Sequence, residues 1–216
     1  MRPGIVALLC TALFVQPGLA EEVRVHADVW GDNWFAVYLN GEPVVDDSVP
    51  FATERSFNAN SDEFIAELPA VVTVVARDYL EDDSGLEYIG TRRQQMGDGG
   101  FIAQFLDADS GELLDASGAH WRCLSIHRAP LNRDCERSAD PASACRAEIS
   151  PEPDGWHDAE FDDSSWPAAT EHTAAAVRPR RGYDEIDWHP AARLIWAPDL
   201  EIDNTILCRT TLSAPD

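Results

Sequence analysis

Short runs of apolar residues, each closed by turn-forming residues, are the feature of this sequence that most constrains its fold. Residues 34–39 alternate between the two faces of a strand and end at Asn40-Gly41, a dipeptide typical of tight β-hairpins. The β-branched run 71–76 is typical of a buried central strand. Further strand-like runs are 44–45, 64–68, 101–106, 121–126, 193–196 and 205–212. Because helical periodicity is not sustained beyond about ten residues, the pattern predicts an all-β, antiparallel sandwich.

The first twenty residues have the composition of a secretory signal peptide. Arg2 is their only charge, an apolar run across residues 5–15 follows it, and the small residue Ala20 suits signal peptidase. This apolar run is shorter than the roughly 20 residues that a membrane helix needs. We therefore expect residues 1–20 to be removed, and residues 21–216 to fold as one domain that is secreted or periplasmic.

The chain carries a large excess of acidic residues. It has 39 acidic and 16 basic residues, a formal net charge of −23 and no lysine. Such a surface repels nucleic-acid phosphates and anionic lipids. We therefore expect no nucleic-acid partner and no membrane insertion. The composition makes no prediction of the oligomeric state.

Four cysteines follow the signal peptide, and an even number in an exported chain favours two disulfides. Three pairings are possible. We favour Cys135–Cys145, because the stretch between them is polar and rich in turn residues, and this leaves Cys123–Cys208 to join two strand-like runs. Residues 129–154 around the first pair hold four prolines and little apolar periodicity. We expect this region to be a loop insertion stapled by its own disulfide.

Three pieces of the sequence are similar to parts of a known domain family. Residues 34–41 (WFAVYLNG) resemble a first hairpin, residues 155–166 contain a "W…FDDSSW" turn, and residues 192–209 resemble a pair of closing strands. Together they resemble the galactose-binding-like jelly rolls that occur as accessory domains of glycoside hydrolases. The resemblance implies a jelly-roll β-sandwich and points to carbohydrate as the ligand. We expect Phe161 and Trp166 of the turn to pack on the sandwich rather than to contact ligand.

Two groups of aromatic and polar residues are the candidates for a sugar site. A sugar has an apolar C–H face and a polar rim, so its sites combine Trp or Tyr rings with polar side chains. Residues 30–34 crowd such side chains into a predicted loop, and residues 183–189 form the second group. The candidate ligand-binding residues are Trp30, Asp32, Asn33, Tyr183, Asp187 and Trp188. If Trp30 and Trp188 are sugar platforms, their rings should be largely exposed.

Acidic residues around the first hairpin are candidates for a calcium site, because calcium prefers hard oxygen ligands. The carboxylates concerned are Asp28, Asp32, Asp46 and Asp47. Their spacing does not match an EF-hand loop. The chain has no zinc motif, no G-x-S-x-G elbow and no phosphate loop, so we assign no catalytic residue and no cofactor other than this calcium.

These observations predict an exported, non-catalytic binding module whose ligand is carbohydrate. Two alternatives stay open. One is an extracellular protein-interaction or surface-assembly protein with the same fold, and the other is a hydrolase or metal-binding protein with a site built from loops. Exposed tryptophans would favour the binding module, a flat apolar patch the interaction protein, and a deep pocket with paired carboxylates the hydrolase.

Overall fold

The computed structural model describes residues 21–47 and 57–214, and the predicted signal peptide lies outside these residues. The strands are β1 (Glu21–Asp32), β2 (Trp34–Leu39), β3 (Glu42–Asp46), β4 (Asn58–Leu68), β5 (Ala70–Arg77), β6 (Leu86–Glu87), β7 (Gln95–Met96), β8 (Gly100–Asp107), β9 (Leu113–Ala116), β10 (Arg122–Arg128), β11 (Glu148–Ile149), β12 (Thr170–His172), β13 (Leu194–Trp196) and β14 (Asp203–Leu212). The helices are α1 (Pro141–Ala144) and α2 (Ala174–Val177), and 3₁₀ turns span Arg133–Arg137 and Tyr183–Glu185.

Two antiparallel sheets of six strands form the sandwich. The first has the order β12-β13-β8-β1-β4, with β9 paired to β8, and the second has the order β11-β10-β14-β5-β2-β3. Strands β6 and β7 form a separate small ladder. The prediction of an all-β, antiparallel sandwich is confirmed, and the arrangement is compatible with a jelly roll.

The hairpin predicted at Asn40-Gly41 joins β2 to β3. Asn40 has a φ of 48° and Gly41 a φ of 88°. Two successive positive φ angles are what a type I′ turn requires, and Asn followed by Gly adopts them at the lowest steric cost. Local sequence therefore accounts for this turn.

Strand β1 lies between β8 and β4 in the first sheet, and the sequence reasoning did not find it. The signal was present, because apolar residues at every second position from Val23 to Val29 are buried. The prediction of a loop at residues 30–34 is therefore wrong. Strand β1 runs through to Asp32, and Asn33 alone separates it from β2 in the opposite sheet.

The main core fills the space between the sheets, and a smaller apolar cluster covers the outer face of the second sheet. In that smaller cluster Trp156 and Trp166 pack with Val75 and Leu207, and Phe161 lies against them. Aromatic side chains bury large apolar areas. The expectation that Phe161 and Trp166 pack on the sandwich agrees with these contacts.

Both expected disulfides form in the structure. Cys123 on β10 lies directly opposite Cys208 on β14, with 4.1 Å between their Cα atoms. Cys135 and Cys145 close the insertion, with 5.3 Å between their Cα atoms. Two disulfides indicate an oxidising environment, extracellular or periplasmic. Within the described ranges, we find no helix whose length and apolar character would let it span a membrane.

Candidate functional site

A polar cleft lies at the end of the sandwich where β1 passes into β2. In the strand register Asp32 is opposite Gly100, so the end of β1 adjoins the start of β8. Arg77 at the end of β5 is opposite both Trp34 and Thr205, so the start of β2, the end of β5 and the start of β14 adjoin as well. The residues that flank these strand ends are therefore brought together, although they are far apart in the sequence.

Three carboxylates meet at this end: Asp32, Asp78 and Asp98. One oxygen from each lies within 4.8 Å of the oxygens of the other two. Asp32 and Asp78 are each only 1% exposed. Both carboxylate oxygens of Asp32 and Oδ2 of Asp78 lack a hydrogen-bond partner. An unpaired buried carboxylate is costly as an anion, so such a group must either hold a proton or face a cation.

The electrostatics of the two most buried carboxyls follow from this arrangement. Burial raises the pKa of Asp32 well above its usual range, and the charges of Asp78, Asp98 and Glu87 raise it further. Burial is also the main reason that the pKa of Asp78 is raised. The cluster therefore resists carrying its full negative charge without a compensating cation.

Glu87 is a further member of this group of acidic residues and lies near Asp98. Burial raises the pKa of Glu87 to about 7, although Gln95 opposes the rise by donating its amide to Oε2 of Glu87 at 2.8 Å. Burial raises the pKa of Asp98 as well, and the charges of Arg178 and Arg180 lower it. These two arginines stand on the same cavity as Asp98 and are exposed.

A cavity of about 290 Å³ is lined by three of these acidic residues, Asp32, Glu87 and Asp98. Its other walls are formed by Asn33, Phe57, Tyr88, Gln95, Arg178 and Arg180. A second cavity of about 550 Å³ shares Gln95, Asp98 and Arg178 with the first. Hence the two cavities adjoin, and the sequence candidates Asp32 and Asn33 both line the smaller one.

The insertion predicted from the sequence reaches the larger cavity. Glu136 lies between the two cysteines of the local disulfide and lines this cavity. The side-chain amide of Gln94 donates to the carbonyl oxygens of Glu136 and Ser138, at 2.6 and 3.0 Å. Gln94 thus attaches the disulfide-closed loop to the start of β7, and Gln95 is the first residue of that strand.

Trp30 stands behind the cleft rather than in it. Its side chain is 0% exposed, and its ring stacks on the ring of Phe57 with 5.7 Å between centroids and 12° between planes. The prediction that Trp30 is an exposed platform is therefore wrong. Because Trp30 stacks on Phe57, and Phe57 lines the cleft, Trp30 supports the wall of the cleft from behind.

Tyr183 and Trp188 pack on the same buried group. The ring centroids of Trp30 and Tyr183 are 5.7 Å apart, and those of Tyr183 and Trp188 are 5.8 Å apart. Trp188 is half-buried, and its indole N–H donates to the carbonyl oxygen of Tyr183 at 2.9 Å. Asp187 is exposed, and its carbonyl oxygen accepts a hydrogen bond from Gln104 at 3.3 Å. The aromatic residues Trp30, Tyr183 and Trp188 of the two predicted groups thus meet by packing together, whereas Asp32 and Asn33 line the cleft.

The calcium ligands expected from the sequence do not form one site. They were Asp28, Asp32, Asp46 and Asp47. Asp28 lies in the middle of β1, where its carboxylate accepts hydrogen bonds from Ser61 and Gln104. Asp46 is exposed, and Asp47 accepts a hydrogen bond from the side chain of Asn58. Among the described residues, the three-carboxylate group capable of holding one ion contains only Asp32 of the expected four.

The sequence reasoning missed Asp78, Glu87 and Asp98. Asp78 follows directly after the strand that the run 71–76 predicted, and Asp98 belongs to the glycine-rich turn before β8. A polar residue next to a strand end was the available signal. In a chain with 39 acidic residues that signal selects too many positions, and only the register between strands singles out these three.

Comparison with known proteins gives no match: no family model, no curated protein and no solved structure is similar to this chain. The fold is therefore described at the level of an all-β, antiparallel sandwich. Its function has to be inferred from the geometry of the cleft.

Proposed function

We propose that this chain is an exported, non-catalytic binding module, related to galactose-binding-like domains, that holds a glycan in the cleft at the end of the sandwich. The observation that carries the proposal is the lining of the 290 Å³ cavity. Two aromatic rings, Phe57 and Tyr88, stand beside the amides of Asn33 and Gln95. A ring can stack on the C–H face of a sugar while amides, carboxylates and guanidinium groups exchange hydrogen bonds with its hydroxyls.

Phe57 is the ring best suited to stack on a sugar. One of its faces lies on the buried ring of Trp30, so its orientation is held before any ligand arrives. A contact group that is already ordered loses less conformational entropy on binding. Tyr88 is held differently, because the guanidinium group of Arg93 lies 4.8 Å from its ring centroid. We therefore assign Phe57 as the main platform and the amide of Gln95 as a polar contact.

A protein-interaction role has less support from the surface. The exposed large apolar side chains of the described residues are Ile65, Leu131 and Ile149. Ile65 lies on β4 and Ile149 on β11, which are edge strands of different sheets. Single exposed apolar residues are ordinary on soluble domains and do not form a docking face.

A hydrolase is the second candidate, and Glu87 is the observation that favours it. Its pKa of about 7 is suited to a general acid, and its side chain lines the cleft with Asp98. However, the oxygens of Asp32, Asp78 and Asp98 lie within 4.8 Å of one another. Retaining glycosidases separate their two carboxyl groups by about 5–5.5 Å and inverting enzymes by more. The three clustered aspartates suit a shared proton or cation, and Glu87 is not a member of that group.

A glycan array probed with the folded protein, followed by calorimetry on each hit, tests the proposal. Phe57→Ala should weaken binding by about 1–3 kcal/mol, which is about 5- to 150-fold, and Gln95→Ala should weaken it in the same direction. Phe161→Ala is the matched control, because it removes another half-buried phenylalanine, from the outer face of the second sheet. The control should bind glycan as the unaltered protein does.

Two results would overturn the proposal. One is a folded protein that binds none of the glycans on the array. The other is a bound glycan whose affinity is unaffected by both Phe57→Ala and Gln95→Ala. If bound glycans are instead cleaved, with new reducing ends that Glu87→Gln abolishes, the hydrolase takes the place of the binding module.

A further inference from the structure

We propose that Asp32, Asp78 and Asp98 together bind one calcium ion at the base of the cleft. The site shares Asp32 and Asp98 with the cleft proposed for the glycan, but its test requires no sugar, so the two proposals can fail separately. The proposal rests on the geometry of three carboxylates, on unpaired buried oxygens and on the backbone that surrounds them.

The unpaired oxygens distinguish this cluster from the buried carboxylate of Asp203. Asp203 is 2% exposed, and its carboxylate is paired twice: Arg128 donates to Oδ1 at 2.9 Å and the N–H of Asp199 donates to Oδ2 at 3.0 Å. In contrast, both oxygens of Asp32 and Oδ2 of Asp78 have no partner at 1% exposure. Buried polar atoms in proteins are almost always satisfied, and a cation bound among these carboxylates would satisfy their unpaired oxygens.

The chemistry of the donors selects the class of cation. All three side chains offer carboxylate oxygens, which suit hard cations rather than zinc or copper. Calcium–oxygen distances are about 2.3–2.6 Å, so two ligands on opposite sides of the ion are about 4.6–5.2 Å apart. The three carboxylate oxygens all lie within 4.8 Å of one another, a range in which one calcium ion can contact all three. Magnesium demands near-ideal octahedral geometry and usually keeps several waters with one or two carboxylates, so a set of three protein carboxylates favours calcium.

Gly97 lies directly against these oxygens, because its lack of a side chain leaves room for the carboxylate of Asp78. A Cβ atom on Gly97 would lie 1.6 Å from Oδ2 of Asp78 and 3.4 Å from Oδ1 of Asn204. That oxygen of Asn204 is also buried and unpaired, whereas its amide nitrogen donates to the carbonyl oxygen of Ala129 at 2.6 Å. The amide is therefore anchored with its oxygen free, and Asn204 supplies a fourth hard donor next to Asp78.

The nearby arginines do not take the place of the ion. The guanidinium group of Arg178 approaches Oδ2 of Asp98 only to 3.9 Å, and the arginine side chain is 66% exposed. Arg180 is exposed too, and it leaves both oxygens of Asp32 without a hydrogen bond. Arginines at the mouth reduce the negative charge of the cleft but do not coordinate its base.

Calcium titration of chelator-treated protein, with both disulfides intact and no glycan present, tests the site. We expect calorimetry to find one ion per chain. At a hundred-fold excess of calcium over its dissociation constant, the melting temperature should rise by about 5–10 °C. Magnesium at the same concentration should produce a smaller rise.

Isosteric variants separate this site from general attraction of cations to an acidic surface. Asp32→Asn and Asp78→Asn should each abolish the bound ion and the rise in melting temperature. Asp46→Asn removes the same charge from an exposed position and should leave both unchanged. Asp78 is fully packed, so the folding of Asp78→Asn must be checked by far-ultraviolet circular dichroism. Asp32→Asn provides a second, separate test of calcium binding.

The proposal is overturned if the chelator-treated protein binds no calcium, if folded Asp32→Asn still binds one ion, or if calcium and magnesium raise the melting temperature equally. The last result would show only screening of the net charge of −23. As no sugar enters the assay, none of these outcomes bears on the glycan proposal, and a blank glycan array would leave the calcium site standing.

Discussion

The indole N–H of Trp30 donates a hydrogen bond to the carbonyl oxygen of Arg180, with 2.9 Å between the two atoms. This bond connects the end of β1 with the segment after α2, which carries Arg178 and Arg180 to the cleft. Trp30 is buried and stacks on Phe57 as well. One side chain therefore holds two walls of the cleft, and its substitution should affect the site without any contact with ligand.

Replacing Trp30 by Phe should lower the free energy of unfolding by about 1–3 kcal/mol. The change keeps an aromatic ring against Phe57 but removes the donor from the part-buried carbonyl oxygens of Arg180 and Arg181. Trp30→Ala removes the ring too and should cost about 3–5 kcal/mol. Urea denaturation measures both. If Trp30→Phe is as stable as the unaltered protein, the hydrogen bond does not hold this segment.

Arg209 should be essential for the order of the FDDSSW turn. It is 3% exposed, donates to Asp163 at 2.9 Å, and also donates to the carbonyl oxygens of Trp156 and Asp158. Arg209→Met removes these bonds and should destabilise the fold by about 3–5 kcal/mol, the usual cost of breaking a buried ion pair from one side. Thermal unfolding measures the loss.

Arg24→Met is the control: Arg24 pairs with exposed Glu63 and Asp109, and its replacement should hardly change the melting temperature. Equal effects of the two variants would contradict the prediction.

The two disulfides should contribute unequally to stability. Cys123–Cys208 closes a separation of 85 residues and Cys135–Cys145 one of 10. From the entropy of closing such loops in the unfolded chain, we expect losses of about 4.5 and about 3 kcal/mol when each pair is replaced by serines. Guanidinium denaturation of the two double variants measures the difference. A larger loss from the local bridge would show that attachment of the insertion, and not chain entropy, dominates its contribution.

His157 should make the fold less stable as the pH falls. Its Nδ1 is 2.7 Å from the buried hydroxyl of Thr73, and the rings of Tyr38 and Trp156 lie on it. Burial lowers the pKa of His157 below its ordinary value of about 6.5. The unfolded chain therefore takes up a proton at a higher pH than the folded protein does, and stability is lost as the pH falls through about 6.5 toward the folded pKa.

Nuclear magnetic resonance titration of the His157 ring should give a midpoint below 6.5. The unfolding free energies of the unaltered protein and of His157→Gln, measured between pH 8 and pH 5, give an independent reading. The advantage of the unaltered protein should shrink as the pH falls, because only the histidine gains a proton on unfolding. A difference that stays constant with pH would contradict this account.

Much of the architecture is predictable from local sequence. The run 71–76 forms β5 because β-branched side chains fit a strand that is covered on both faces, and Asn40-Gly41 forms the hairpin turn because both residues tolerate positive φ. The cysteines also pair as expected, because the polar stretch of the insertion brings Cys135 and Cys145 together locally. Each of these outcomes depends on interactions within a short segment.

The tertiary structure alone decided which side chains form the cleft. Trp30 has a side chain that could serve as a sugar platform. It lies near the end of the long strand β1, however, where its ring is buried against Phe57 and Tyr183. Asp32, Asp78 and Asp98 carry no motif, and they meet because antiparallel register aligns the strand ends beside them. Sequence periodicity determines whether a residue faces inward from its own strand. Which distant residue lies beside it depends on how the strands pair, and pairing is a property of the whole sheet.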